Sequence, residues 1–486
     1  MLILLLLIPT LAVAAIMLGA PAKKTALIAS VLNLLVSFVV AFQFVPGASG
    51  YQFEQSFPWA ALSGLPTIHF HVGVDGISLP LVLLSTIVTL AAVAVSPAEV
   101  ARPAEFFSYV LLIALGVLGA FVSLDLFFLY IFHEFALIPT FLLIGIWGTQ
   151  NRQFSAVQIT LYLTLGSLIL LAGLIALVLS LPLEARSFDL PVVQAAIGQA
   201  ALDGHMESVI FGLLLIGSGI LVSLFPFHTW APTAYASAPP AAAMLHGGVL
   251  KKFGLYVLIR VAIPLLPGGA QHWQGWLIAL LIGNILYVGL ATLAQKELTT
   301  TLGYSSVMHM GYLFLGLVSW NEIGLSGVVF FMIAHGLSTA LLFALAGEIQ
   351  TRTGEIRLAE LGGLAKKMPF IAVTFIIGAM AMAGLPGLAN FVGEMLIFFG
   401  AWHSHPAVAV IAVWGIVLTP VFLLRSVSAT FFGPLPEKFA AVTDLECGWG
   451  RAPYLFLLAT LLVLGFAPGL LLAWIRPAVA QLLGVH

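Results

Sequence analysis

Fourteen stretches of about 20 residues follow one another along this chain with almost no charge inside them. A helix needs about 20 apolar residues to cross the hydrocarbon of a bilayer. The limits read from the sequence are 2–20, 25–45, 76–98, 106–122, 124–147, 155–181, 207–225, 240–263, 273–294, 300–319, 323–348, 368–400, 406–430 and 452–475. Only 7% of the 486 residues are charged and 61% are hydrophobic, with a mean hydropathy of +1.14. Water alone cannot solvate such a surface. The expected class is an all-α integral membrane protein, one membrane domain over 1–486, with the lipid bilayer as its first partner.

The same composition excludes several functions. A net charge of −2 leaves no basic stripe, so no nucleic-acid partner is expected. The single cysteine, Cys447, excludes an internal disulfide and a cysteine-held zinc or iron–sulfur site. No four ligands have metal-like spacing, so no metal or cofactor is expected on this chain. Met1–Ala20 could pass for a secretory signal, but Lys23 and Lys24 follow the apolar run instead of preceding it. It reads as a retained first helix.

Loop charges orient the chain. With the Lys23–Lys24 loop in the cytoplasm, Arg102, Arg152, Lys296, Arg352, Arg357, Lys366, Lys367, Lys438 and Arg451 share its side, against Arg186 and Arg476 opposite. That asymmetry follows the positive-inside rule and puts both termini outside. Connections 46–75, 182–206 and 431–451 are too short for a core of their own. Gly and Pro interrupt the seventh run at Phe225–Pro226 to Pro239–Pro240 and the twelfth at Gly384–Gly387. Broken backbone at membrane depth needs protein or a wet cavity around it, and paired breaks point to inverted repeats. The expected division is helices 1–3 in 1–100, a first repeat of helices 4–8 in 101–265, a second of helices 9–13 in 270–432, and the last helix in 450–486.

Four charges stay at membrane depth under any boundary choice: Glu134, Lys251, Lys252 and Glu394. Each costs about 2.5–3.5 kcal/mol at a helix centre, which points to a partner or a purpose. Glu134 sits mid-helix after His133, where desolvation favours a proton-loading carboxyl; its plainer reading is interhelical glue. Lys252 lies near the bilayer middle and suits a relay that sheds its proton readily. Lys251 is about 100° round the helix from it and could instead cap a carbonyl. Glu394 follows the second break by two turns, as an exit gate or as a plug against freed backbone. His246, His309 and His335 are spaced between these groups; imidazole both donates and accepts, so each could pass a proton or merely pack.

These residues fall within specific motifs. They include Gly73-Val-Asp75-Gly-Ile-Ser78, His133-Glu134, Pro226-Phe-His228-Thr-Trp230, Gly248-Val-Leu-Lys-Lys252-Phe-Gly254, Tyr304–Gly311, Ala334–Leu337, Gly362-Gly363-Leu364 and Gly384-Leu-Pro-Gly-Leu-Ala-Asn390-Phe-Val-Gly-Glu394. From Gly73 to the last helix the chain resembles the antiporter-like membrane subunits of respiratory complex I, the proton-translocating NADH–quinone oxidoreductase. The likeness is strongest to the M-type branch, which the motif ending in Glu394 separates from the L- and N-type branches. The resemblance implies fourteen helices, two inverted five-helix repeats, and a row of acid, lysine and histidine sites. It also implies L-, N- and K-like partner subunits, a bacterial inner membrane, and quinone, NADH, FMN and iron–sulfur clusters elsewhere in the complex. Multisubunit cation/proton antiporters and membrane-bound hydrogenases use similar chains.

The chain departs from the family pattern at several places. The family's seventh-helix lysine is Leu221 here, and the proline two residues later is Ser223. Thr233, Tyr235 and Ser237 replace acidic and histidine positions, His133 replaces a tryptophan, and Thr299 replaces a lysine. In the family picture the missing lysine pairs with the carboxylate at Glu134. Lys251 or His133 could supply that charge, or the subunit could be a non-pumping spacer.

Overall fold

Asp125 shows how tightly the sequence punctuates these helices. Its Oδ1 accepts the backbone N–H of Phe127 at 2.9 Å and of Phe128 at 3.3 Å, capping the helix Leu126–Trp147 three residues after Pro103–Val122 has ended. The computed structural model describes all residues except 62–65, 98, 150, 200–201 and 485–486. The expected end of the third run at 98, and the C-terminal limit of the domain, lie outside the described residues.

Nine helices among the described residues are long and apolar enough to cross a membrane. They are Ala22–Gln43, Ser78–Val95, Pro103–Val122, Leu126–Trp147, Arg152–Ser180, Gly204–Val222, Pro267–Leu293, Glu322–Thr353 and Pro406–Phe431. A tenth candidate is the pair Ala452–Phe466 and Gly469–Leu483, bent by 66°. The remaining apolar runs include the shorter helices Leu2–Met17 and Pro369–Met382 and the less apolar 22-residue helix Leu298–Ser319.

Glu322–Thr353 is the axis of the molecule. Its apolar window is wholly buried, and an all-round apolar helix has no other stable place. Glycines let its neighbours close in. A Cβ at Gly336 would strike the Gly248 carbonyl and Leu84, and one at Gly347 would strike Pro240. Small residues serve this purpose between membrane helices.

Two expectations need correction, the all-α class and the continuous eighth run. The chain is not purely helical: Gln52–Ala60 and Ile68–Val74 form an antiparallel hairpin within the 46–75 connection. The 182–206 connection carries the helix Leu190–Gln199. The eighth run is not continuous either. Helix Pro240–Gly248 ends at Val249, a single 3-10 turn holds Leu250–Lys252, and the helix resumes at Phe253. Gly247–Gly248 weakens the backbone at that point.

The hairpin is fastened by titratable groups. His71 bridges Asp189 (2.5 Å) and Glu54 (2.8 Å), while Asp125 accepts the His69 N–H at 3.2 Å. The Asp189 hydrogen bond holds the His71 imidazole above its ordinary range despite burial. Burial likewise raises Asp125 to about 6, against three backbone N–H bonds that favour its charge. Both groups bind protons more tightly when docked. His71 therefore stabilises docking fully below its unfolded value near 6.5 and loses that contribution as pH rises through its docked value; Asp125 loses its own through about pH 6. Hydrogen-exchange protection of the strand Ile68–Val74, taken relative to the base-catalysed rate of a free chain at each pH, is accordingly expected to fall as pH rises from about 6 upward, and His71→Gln should flatten most of that dependence.

Candidate functional site

The two helix breaks release backbone groups that the site then uses. Helix Gly204–Val222 stops at Ser223, and Asn284 satisfies what is freed. Its Nδ2 donates to the Ser223 carbonyl (3.1 Å) and its Oδ1 accepts the Phe225 N–H (2.6 Å). Helix Pro369–Met382 stops at Ala383 and resumes at Ala389, with Gly384 and Gly387 at φ of 73° and 93°. The Met382 carbonyl is left for a side chain. His309 takes it.

His309 Nε2 faces the Met382 carbonyl at 3.0 Å and Nδ1 faces the Ser305 carbonyl at 2.6 Å. A neutral imidazole has one N–H, so a ring between two carbonyl oxygens makes both bonds only as the imidazolium. The negative end of the helix dipole at Met382 favours that state. Desolvation of a fully buried ring opposes it. Such a balance suits a group that holds a proton briefly.

Lys252 has no exposed surface, and its ammonium donates to the Gly247 carbonyl at 2.6 Å and meets His335 Nδ1 at 3.0 Å. The 3-10 turn at Leu250–Lys252 lets the side chain reach back to that carbonyl. The Gly248–Gly336 approach brings the two helices close enough for the histidine contact. The His335 and His309 rings lie 5.7 Å apart by centroid. Thr339 Oγ1 lies 3.3 Å from His335 Nε2, and Asn390 Nδ2 donates to Ser338, tying the twelfth helix to the same turn.

Lys251 is buried and does not reach lipid. Its ammonium sits 5.6 Å from the centroid of the Tyr235 ring and makes no hydrogen bond. Tyr235 Oη pairs with His246 Nδ1 at 3.1 Å, leaving His246 Nε2 free. Glu394 is buried beside the break, its carboxyl lying where a Gly384 side chain would go. No cation lies within ion-pair distance of it among the described residues. Tyr312, one turn beyond His309 and ring-packed against it at 5.5 Å, lies within electrostatic reach of Glu394.

Glu134 stands apart and corrects the expectation of a buried acid. Its side chain is 31% exposed, on a helix face that carries exposed Phe135 and Ile138. The helix Leu126–Trp147 lies at the flank of the chain, so mid-membrane depth did not mean interior. Among the described residues the basic side chain within ion-pair distance of it is His133, with Nδ1 at 3.6 Å, and that ring stacks on Phe253 at 4.0 Å. Lys251 is not in its ion-pair shell, and Leu221 is buried apolar surface.

Sequence reasoning missed two groups. Arg260 is buried, paired with Asp75, and stacked near Tyr51 and Tyr256 (5.3 and 5.8 Å to the ring centroids). The partners lie far apart in sequence, and only the Asp75 motif hinted at them. Asn284 gave no signal beyond a lone polar residue in an apolar run. Among the described residues no cluster of three His, Cys, Asp or Glu side chains could hold a metal.

A family model described as "NADH:quinone oxidoreductase/Mrp antiporter, TM" matches residues 123–419, which contain every site residue named so far except Asp75 and its neighbour Tyr51. The chain belongs to this family. It is similar to the NADH-quinone oxidoreductase subunit M of Rhodobacter capsulatus, at 34% identity over 95% of this chain and 90% of the relative. It is 36% identical to the NAD(P)H-quinone oxidoreductase chain 4-2 of Synechocystis, over 82% of this chain and 71% of that one. A chain in the structure of respiratory complex I from Thermus thermophilus with bound NADH superposes with a TM-score of 0.89 at 29% identity, covering all of both chains. Within this family's transmembrane region, the Lys252–His335 bond depends on the Gly248–Gly336 contact. Gly336→Val is therefore expected to separate the two helices and to cost about 1–3 kcal/mol as overpacking, measured by thermal unfolding in detergent.

Proposed function

We propose that this chain is a proton-translocating, antiporter-like membrane-arm subunit of an NADH–quinone oxidoreductase. The observation that carries the proposal is the unbroken contact string Lys252–His335–His309, seated between two broken helices at membrane depth. Glu394, beyond Tyr312, is the acidic group at one end, with His246 and Lys251 as a side branch, and Glu134 with His133 beside it is a separate relay site on the flank. In this reading a proton rests on His309, whose two carbonyl acceptors favour the charged ring. Lys252 alternates between ammonium and amine as His335 hands the proton on.

The architecture proposed with it has fourteen spans, the short and bent helices included. Two inverted five-helix repeats occupy 101–265 and 270–432, flanked by helices 1–3 in 1–100 and the last helix in 450–486. Both termini face outward from a bacterial inner membrane, a reading supported by the grouping of the basic loops on one face. L-, N- and K-like subunits are the neighbours, and the half-buried carboxyl of Glu134 lies on a flank that such a neighbour would cover. The quinone, NADH, FMN and iron–sulfur clusters belong to other subunits.

Two variants test the relay in the purified complex reconstituted into vesicles. Lys252→Ala should slow proton uptake by about a hundredfold or more, as loss of a positioned proton carrier does, while electron transfer to an artificial acceptor persists. Full pumping there would refute the role given to Lys252. His133→Phe keeps the stack on Phe253 but removes the ring nitrogens beside Glu134. It should lower the proton-to-electron ratio without moving the melting temperature; an unchanged ratio would favour a spacer. The subunit composition of the same preparation separates this reading from a cation/proton antiporter or a membrane-bound hydrogenase, since only the first brings a flavin- and iron–sulfur-bearing NADH arm.

A further inference from the structure

The span Pro267–Leu293 changes its winding partway through the membrane. Over Gly283–Val288 it widens into a π-helical turn, a rare form found mostly at functional positions. Asn284 stands in that turn with no exposed surface. Its Nδ2 donates to the Ser223 carbonyl at 3.1 Å and to the Val307 carbonyl at 2.9 Å, and its Oδ1 accepts the Phe225 N–H at 2.6 Å. Turning the amide over would set an oxygen against two carbonyls and an N–H against another, so its orientation is fixed.

The three partners lie on different segments. Ser223 and Phe225 border the seventh-helix break. Val307 lies on the tenth-run helix Leu298–Ser319, two residues before His309 and two after Ser305, whose carbonyl faces His309 Nδ1. Glycines bring these segments within reach of one side chain. A Cβ at Gly283 would strike the Phe225 ring, and one at Gly311 would strike Ile285 and crowd Asn284 itself. Under the proposed division, Ser223 and Phe225 belong to the first repeat, and Asn284, Val307 and His309 to the second. The Lys252–His335 contact crosses the same boundary. The string therefore needs the two repeats held in register, and Asn284 ties them at the helix that carries His309. Asn33 offers a contrast: its Nδ2 donates to the Leu5 carbonyl at 3.1 Å, a buried amide between two helices that carry no member of the string.

We propose that Asn284 is a positioning residue for proton transfer: by binding the seventh-helix break to the tenth helix, it fixes the separation over which His335 and His309 exchange a proton. The inference rests on the proton-translocating reading given above. Asn284 carries no proton, because an amide does not titrate. In the exchange one N–H bond breaks on one imidazole and one forms on the other, directly or through one water. The rings lie 5.7 Å apart by centroid, and a misplacement of about 1 Å can slow such a step by about a hundredfold. A tenth helix released at Val307 would shift against the break and carry His309 with it. The Ser305 bond would survive, since it lies within that helix. The contact with the Met382 carbonyl, at 3.0 Å on another helix, and the spacing to His335 would not.

The test measures proton uptake, and its solvent deuterium isotope effect, in the assembled complex in vesicles. Asn284→Asp keeps the side-chain volume and the acceptor for Phe225 but removes the paired N–H donors; Asn284→Leu removes all three bonds. Each should slow uptake by about tenfold or more and raise the isotope effect, because transfer between the rings becomes the slow step. Simple loss of folded complex would lower the yield and leave the isotope effect of the surviving complex unchanged. Asn33→Leu should pump at the unmodified rate, and Lys252→Ala serves as the reference for the string. If Lys252→Ala stops pumping while both Asn284 variants run at the unmodified rate, the tether is overturned and the relay stands. The tether is equally overturned if the Asn284 variants slow with an unchanged isotope effect, or if Asn33→Leu slows uptake as much as they do. If Lys252→Ala pumps fully, the relay falls and the tether with it. Should Asn284→Leu fail to assemble, the isosteric Asn284→Asp decides among these outcomes.

Discussion

Two glycines facing each other across a helix pair set the terms for the rest of this molecule. Gly248 and Gly336 meet so closely that either would drive a Cβ into the other's carbonyl. Their contact draws the interrupted eighth helix against the axial helix at the depth where Lys252 and His335 meet at 3.0 Å. A lysine with no exposed surface is stabilised when its donors find acceptors, because desolvation of an unpaired ammonium costs several kcal/mol. The approach supplies one acceptor from the neighbouring helix and the 3-10 turn supplies another from Gly247. Packing and chemistry thus share one cause.

Helix interruption recurs as the source of polar ligands. In hydrocarbon every freed carbonyl must be answered by protein or water. Here the answer comes from side chains in each case: Asn284 at Ser223, Lys252 at Gly247, His309 at Met382. The arrangement turns a liability of the backbone into preformed acceptors at membrane depth. It also separates structural from functional breaks. Asn284 cannot change protonation state, so its bonds hold the seventh-helix break permanently shut. His309 and Lys252 can, so the acceptors at the other two sites matter differently to each charge state.

How much of this was legible in the sequence depends on the signal each feature leaves. Apolar runs and Pro/Gly clusters located the helices and two of the breaks, because hydrocarbon imposes length and composition directly. Lys252 and Glu394 were visible because charge at depth is rare. The flank position of Glu134 was not, since lipid-facing and protein-facing surfaces of a membrane helix are both apolar and leave no amphipathic stripe to read. The third break, at Val249, was hidden because Gly247–Gly248 alone is compatible with continuous helix. The hairpin at 52–74 was missed because Pro58 and a register shift interrupt its alternation. Arg260 and Asp75 pair across 185 positions, and no local pattern announces such a contact.

Leu221 stands where the resemblance leads one to expect a cation on the seventh helix, while the Lys251 ammonium on the eighth lies over the Tyr235 ring and makes no ion pair with Glu134. Tyr235 itself stands where the resemblance leads one to expect a histidine. A phenol facing an ammonium accepts the cation through its ring and still offers an O–H to the imidazole, which a second histidine could do only by competing for the same proton. The substitutions are therefore mutually consistent: charge is withdrawn from the exposed flank, where Glu134 keeps only His133 beside it, and concentrated around the axial helix. A chain that had merely lost its function would have no physical reason to keep an unpaired lysine in the hydrocarbon interior, where each such group costs about 2.5–3.5 kcal/mol on insertion. The cost of Lys251 is the strongest argument that the altered half still moves charge.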